Sequence, residues 1–504
     1  MNAGLCIADY TVIAAFFAVM VGVGLWSRRR AGNAGAYFGN DRSASWWLSG
    51  ISFYMNSFSA LAFVMYSALA YKYGFLPITV SWLLVPSVLI ASRWLAVRWR
   101  RAAQGSPIDF IALRYTPKTC SFLAWLGLPM QLLDNSLKLL AVGTVVGVGM
   151  GFPLVWSIAA SGVIIVVYTF LGGLKAALVC DFIQFFIILA VVFALPPLCL
   201  GKLSQLDGGS GLMHGFAVFF ERRPEGFFDI TTGMYTFMYL FITFLLNFYT
   251  TSTNWPLIQR YAATKSERDA KKMTYLVAAL MVFAPPIMFF PAMAARVFLT
   301  TPIADADLNG VYAILCREVM PAGMMGLVIA AMFSATMSSL AGNFNAAASV
   351  VTNELYAKMD RHATPGRLMA VGRIATVAVG ALVVGLTFVM QYAQGARDLF
   401  DLSNNVACVF VAPVAIPMIA GVLFRSLSKR SGATALVGGI AVGLVAFVAG
   451  GWYPYLRETV PMAWISAIAT VALLLIGTKL FPDRAEEKPA LDKFFAEIER
   501  KSID

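Results

Sequence analysis

Apolar blocks long enough to cross a bilayer follow one another from about residue 8 to residue 481, with only short polar stretches between them. A helix needs about 20 largely apolar residues to span the hydrocarbon core. In lipid every backbone N–H and C=O must be satisfied within the protein, so spans of this kind are expected to be helices. Composition agrees: 59% of the 504 residues are apolar and 13% are charged, against about 25% charged in an ordinary soluble domain. The chain reads as an all-α membrane protein. Thirteen helices fit the blocks, at about 8–27, 45–72, 75–98, 118–147, 154–174, 177–201, 233–259, 273–298, 322–358, 368–392, 398–424, 432–452 and 460–481. They make one transmembrane domain over 1–482. A charged tail over 483–504 has the pattern of a short amphipathic helix.

Charge sets the expected orientation. Cytoplasmic loops collect Lys and Arg, and Arg28, Arg29 and Arg30 directly follow the first block. With the N-terminus outside and the C-terminus cytoplasmic, 29 of the 38 Lys and Arg fall on the cytoplasmic side, and the bias persists to the end of the chain. The net charge of +12 is thus a topology signal rather than a nucleic-acid footprint. The basic residues follow the first apolar stretch instead of preceding it, which argues against a cleaved signal peptide. The expected location is a plasma membrane, a bacterial inner membrane in particular, with a small-molecule solute and the bilayer as partners, no nucleic acid, and no obligate protein partner evident.

Catalytic chemistry has little to build on. The only two His, His214 and His362, fall in loops, no His-Glu metal motif or Gly-x-Ser-x-Gly elbow occurs, and the six Cys are scattered. A solute sensor on a transporter scaffold would carry an appended signalling domain, for which the tail is too short.

Two blocks hold polar clusters at mid-membrane depth. The second helix carries Ser49, Ser52, Asn56, Ser57 and Ser59; the seventh carries Asn247, Thr250, Thr251, Ser252, Thr253 and Asn254, then Pro256. Ser, Thr and Asn compete for backbone hydrogen bonds and weaken a helix locally. One such cluster also suits hydrogen bonding between packed helices. Here the pair occupies corresponding positions in two five-helix units, about 45–201 and 233–424. An odd number of helices per unit inverts the second unit, and paired interrupted helices in inverted repeats point to a transporter's central site. Asn56, Ser59 and Thr250 are the candidate solute contacts from these interruptions. The ninth helix adds Ser338 and Ser339 beside Ala335, Ala341 and Gly342, neutral oxygens that suit a monovalent cation or, equally, a packing face.

These residues, read with Tyr168-Thr169-Phe170-Leu171-Gly172-Gly173, then Asp181 and Gln184, and with Tyr37-Phe38-Gly39 and Gln259-Arg260-Tyr261, resemble the sodium:solute symporter family over about residues 8–425. The resemblance implies a leucine-transporter-like inverted repeat with two broken helices. It also implies a sodium site from the carbonyls of Met55, Phe58 and Ala335 and the hydroxyls of Ser338 and Ser339. Positions that hold a second sodium in some members are Ala341 and Gly342 here. One sodium per cycle is therefore expected as coupling ion, with Asp181 on the ion path or as an accessory group. A buried intramembrane carboxylate is a functional candidate by default.

For the solute, the resemblance to sugar carriers points to Asn247 and Asn405, whereas their acid and Lys positions fall on about Ser81 and Met281. The fourth-helix Arg of sialic acid carriers is replaced by the stretch Gln131 to Lys138. Asp134 and Lys138, four apart, can pair on one face; alternatively Asp134 and Asn135 face the cavity and bind hydroxyls or an amine of the solute. The expected function is sodium-coupled import of a small polar solute, sugar or sialic-acid-like, by alternating access. Proton coupling through Asp181 or Asp134, and an amino-acid or carboxylate substrate, are the alternatives.

Overall fold

The computed structural model describes residues 6–30, 44–57, 59–102, 107–171, 174–233, 235–360, 364–394 and 399–499. Along them run helices at the thirteen expected positions; among the described residues eight are long and apolar enough to cross a membrane, or nine with the bent second helix taken as one span. They are α1 (Ile7–Arg30), α2a (Trp46–Ser57) with α2b (Ala60–Tyr73), α3 (Leu76–Trp82, Leu84–Trp94 and Ala96–Ala102), α4 (Pro117–Met150), α5 (Leu154–Leu171) and α6 (Leu174–Gln205). Then come α7a (Phe237–Thr253) with α7b (Trp255–Ala263), α8 (Glu267–Phe298), α9 (Met324–Val350), α10 (Pro365–Gln394), α11 (Leu399–Leu423), α12 (Ser431–Ala449) and α13 (Thr459–Leu480). The loops are more structured than their length suggested. Helices Leu212–Arg222 and Val311–Val319 form in the two longest, and Lys488–Glu499 forms the tail helix.

Both interruptions are present. The α2 halves meet at an angle of 60°, with Ser59 extended at φ −152° and ψ 166°. The first N–H of α2b, on Ala60, is satisfied from another helix, by Thr336 Oγ1 of α9 at 2.9 Å. The seventh helix breaks at Asn254, φ −65° and ψ 121°, at the far end of its polar cluster. Pro256 lies in the first turn of α7b, where its missing N–H costs nothing.

α9 is the axis of the molecule. Of an apolar 18-residue window within Met324–Ala348, 89% is buried, against 33% of the corresponding window of the peripheral α13. It packs on α1, α2a, α2b, α4, α5, α6, α7b and α10. At the start of α9, Asp9 Oδ1 of α1 accepts from Gly326 N at 2.8 Å. Elsewhere small residues let helices close up: a Cβ on Gly162 of α5 would lie 2.4 Å from Val384 of α10, and one on Gly380 of α10 would lie 2.3 Å from Val166 of α5. Without a hydrophobic drive between helices in lipid, such interlocking contacts are a main source of cohesion. α12 and α13 pack on each other and on α11 at one side.

Candidate functional site

The α2 break creates polar groups at the centre. A helix leaves its last four carbonyls without intrahelical partners, and α2a ends at Ser57, so the carbonyl of Met55 lies in that terminal turn. Phe58 lies outside the described residues. The carbonyl of Ser59 is already used, accepting from Ala62 N at 3.0 Å and Phe63 N at 3.4 Å. Ala335, Ser338 and Ser339 are all buried on α9, which packs on both α2 halves. Unlike α2, α9 is continuous here, so the Ala335 carbonyl offers a cation its second lone pair rather than one freed by a break.

Beside the α9 hydroxyls stands an ionic cluster from three helices. Asp181 of α6 is fully buried and Arg260 of α7b is 2% exposed. Ser52 of α2a joins them: its hydroxyl donates to Asp181 Oδ2 at 2.5 Å and accepts from Arg260 Nε at 3.0 Å. Arg260 Nη2 lies 3.7 Å from the same carboxylate oxygen. Ser338 and Asp181 interact with each other as side chains, and Ser338 Oγ and Asp181 Oδ1, both buried, have no further partner among the described residues. Buried polar atoms are nearly always satisfied, and two adjacent oxygens with spare acceptor capacity are what a hard monovalent cation takes as ligands. The donor set present therefore fits sodium.

The expected contacts separate at this point. Asp134 and Lys138 of α4 do pair, at 2.6 Å, and Lys138 Nζ also donates to Ser339 Oγ at 2.9 Å. Asn135 is fully buried, and its Oδ1 accepts from Asn343 Nδ2 of α9 at 2.7 Å, which makes it a tie between α4 and α9. Asn56 and Ser59 are buried at the α2 break, and Asn56 Nδ2 has no partner among the described residues. On α7a, Asn247 is half-buried and Thr250 exposed. The side chain of Asn405 lies outside the described residues. Tyr54 and Tyr66 turn toward α8, Tyr54 reaching Met288 Sδ at 3.9 Å and Tyr66 meeting Phe289 edge to face.

Sequence reasoning gave no individual role to Ser52, and Arg260 entered only through the Gln259-Arg260-Tyr261 stretch and the count of cytoplasmic charges. The buried Arg260 corrects that reading. A signal existed in the polar face of α2a, where Ser49, Ser52 and Asn56 recur at helical spacing.

Known proteins share this architecture. The model of the sodium:solute symporter family matches residues 37–442. A sodium/glucose cotransporter of Vibrio parahaemolyticus is 26% identical over 445 residues, covering 81% of this chain and 80% of that one. Sodium/glucose cotransporter 2 of Rattus norvegicus is 25% identical over 493 residues, 88% of this chain and 71% of its own length. Among solved structures, the substrate-bound outward-open state of a Na+-coupled sialic acid symporter superposes with a TM-score of 0.81 at 20% identity, over 95% of this chain and 98% of that one. A nucleobase-cation-symport-1 family transporter in a closed conformation gives 0.57 at 16% identity, over 90% and 97%. At these identities the structural likeness speaks for the fold.

Proposed function

Because the chain belongs to the sodium:solute symporter family, we propose that it is a sodium-coupled secondary active symporter importing a small polar organic solute, a sugar or a sialic-acid-like molecule. The observation that carries this reading is the pair of adjacent buried oxygens, Ser338 Oγ and Asp181 Oδ1, beside the broken second helix, with no partner beyond each other among the described residues. Sodium would be held by the carbonyls of Met55, Phe58 and Ala335 and the hydroxyls of Ser338 and Ser339, one ion per cycle. Asp181, braced by Ser52 and Arg260, lies on its release path.

Alternating access follows from where these ligands sit. Two of them belong to the broken helix α2 and three to α9, so ion binding favours the conformation in which the two elements meet. Solute binds that conformation better, and coupling is the difference in affinity between conformations. The ion then leaves into low cytoplasmic sodium. Asn56, Ser59, Asp134, Asn247, Thr250 and Asn405 are the proposed solute contacts, and Asn135 supports them from its bond to Asn343. Amides and hydroxyls favour a polyhydroxylated solute, as do the sodium/glucose cotransporters among the relatives. The chain would sit in a bacterial inner membrane with its N-terminus outside and its C-terminus in the cytoplasm.

Purified protein in liposomes tests the reading. Uptake of a panel of sugars, sialic acids, amino acids and nucleosides is measured under an inward sodium gradient, then with sodium replaced by choline at constant pH. Uptake of a sugar or sialic acid only with sodium is the expected result. Sodium-independent uptake driven by a pH gradient would replace the ion with a proton.

A further inference from the structure

Lys138 does more than neutralise Asp134. A surface-type pair four residues apart on one helix is complete in itself and contributes little. Here the ammonium reaches on to a second partner on another helix, donating to Ser339 Oγ at 2.9 Å while it holds Asp134 Oδ2 at 2.6 Å. Lys138 is 15% exposed and Asp134 45%, so the pair runs from an open acid to a largely enclosed ammonium. Ser339 itself is 1% exposed. The positive end of Lys138 therefore points inward, onto one of the five proposed sodium ligands.

Two cations then compete for one oxygen. A hydroxyl has two lone pairs, and the one that accepts from an ammonium is withdrawn from a metal ion. A sodium ion sharing this oxygen with the ammonium would stand about 4 Å from a like charge, where repulsion is substantial in a poorly screened interior. We infer that Lys138 is an internal competitor for the sodium site: its ammonium holds Ser339 when sodium is away and withdraws to Asp134 alone when sodium binds. Asp134 is the resting place that makes withdrawal cheap. The arrangement lowers sodium affinity, which helps an ion leave after each cycle. It also ties α4 to α9 only in the sodium-free state. This inference rests on the sodium reading of Ser339.

Isothermal titration of sodium chloride into the purified full chain, at constant ionic strength with choline, tests it without transport. Lys138→Met is expected to bind sodium about tenfold more tightly than the native protein, a gain of about 1.4 kcal/mol. Lys138→Gln serves in its place should the Met variant fail to fold. Asp134→Asn should bind more weakly than native, because the ammonium loses its alternative partner. The double variant Asp134→Asn/Lys138→Met should return to the tight side. Unchanged or weaker binding in the Lys138 variants overturns the inference, as does a gain that vanishes in the double variant, which would belong to the bared Asp134 carboxylate. Absence of sodium binding in all of the proteins refutes the sodium site itself, a separate outcome.

Discussion

Arg260 and Asp181 are charges in a place where charge is expensive. Their hydrogen-bond relay through Ser52 links α7b, α2a and α6, so each of the two interrupted helices contributes a group. Removing one partner of a buried ion pair strands the other. Arg260→Met is accordingly expected to destabilise the protein by about 3–5 kcal/mol, read as a fall in the thermal unfolding midpoint. Arg260→Met combined with Asp181→Asn should recover a clear part of the loss; equal loss in both would mean the charges are not coupled. Asp181 was legible as a site because an acid inside an apolar helix has few bland explanations. Arg260 was not, since it lies one turn from the end of α7b, and an Arg there reads as interfacial until the three-dimensional fold supplies its partner. Lys138 was half legible: spacing alone gave Asp134, whereas Ser339 lies 201 residues away.

The second helix depends on α9 for its shape. Ser59 is extended, and the N–H that opens α2b bonds to a side chain of α9 rather than to its own helix. Thr336→Val keeps the volume and deletes that acceptor, leaving the Ala60 N–H buried and unsatisfied. The expected cost is about 1–3 kcal/mol, with faster amide exchange over residues 59–63 and normal protection restored by Thr336→Ser. Unchanged exchange in the Val variant would mean that the break is held by α2 alone. Polar clustering located the second-helix break well, because Ser57 and Ser59 bracket it. In the seventh helix the break lies at Asn254, beyond most of the cluster, since Pro256 fixes where a new helix can start and Thr251 and Thr253 bond back to carbonyls within α7a. The small helices in the long loops are as amphipathic as the tail helix, so their pattern was present in the sequence but masked by the long apolar spans around them.

At the scale of the molecule, the hydrophobic blocks gave the order and the all-helical character of the elements, since the bilayer leaves few other ways to satisfy the backbone. The tail helix was visible as an amphipathic pattern. In the structure it buries Leu491, Phe494, Phe495 and Ile498 against the end of α3 and the short helix Pro107–Arg114, with Arg101 donating to the Ile498 carbonyl at 2.8 Å and Arg425 paired with Asp492. Arg114 is fully buried there, donating to the carbonyls of Gly421, Phe424 and Leu427. Several Lys and Arg at this end thus serve packing as well as orientation, a second role that charge counting does not separate. α9 packs on both halves of α2, and sodium coupling depends on what lies between them. Equilibrium binding of radioactive sodium to the purified protein measures it directly, in the native chain and in Ser338→Ala with Ser339→Ala. Saturable binding in the native protein and at least about tenfold weaker binding in the variant, a loss of about 1.4 kcal/mol or more, is the expected result; equal sodium affinity in the two would contradict it.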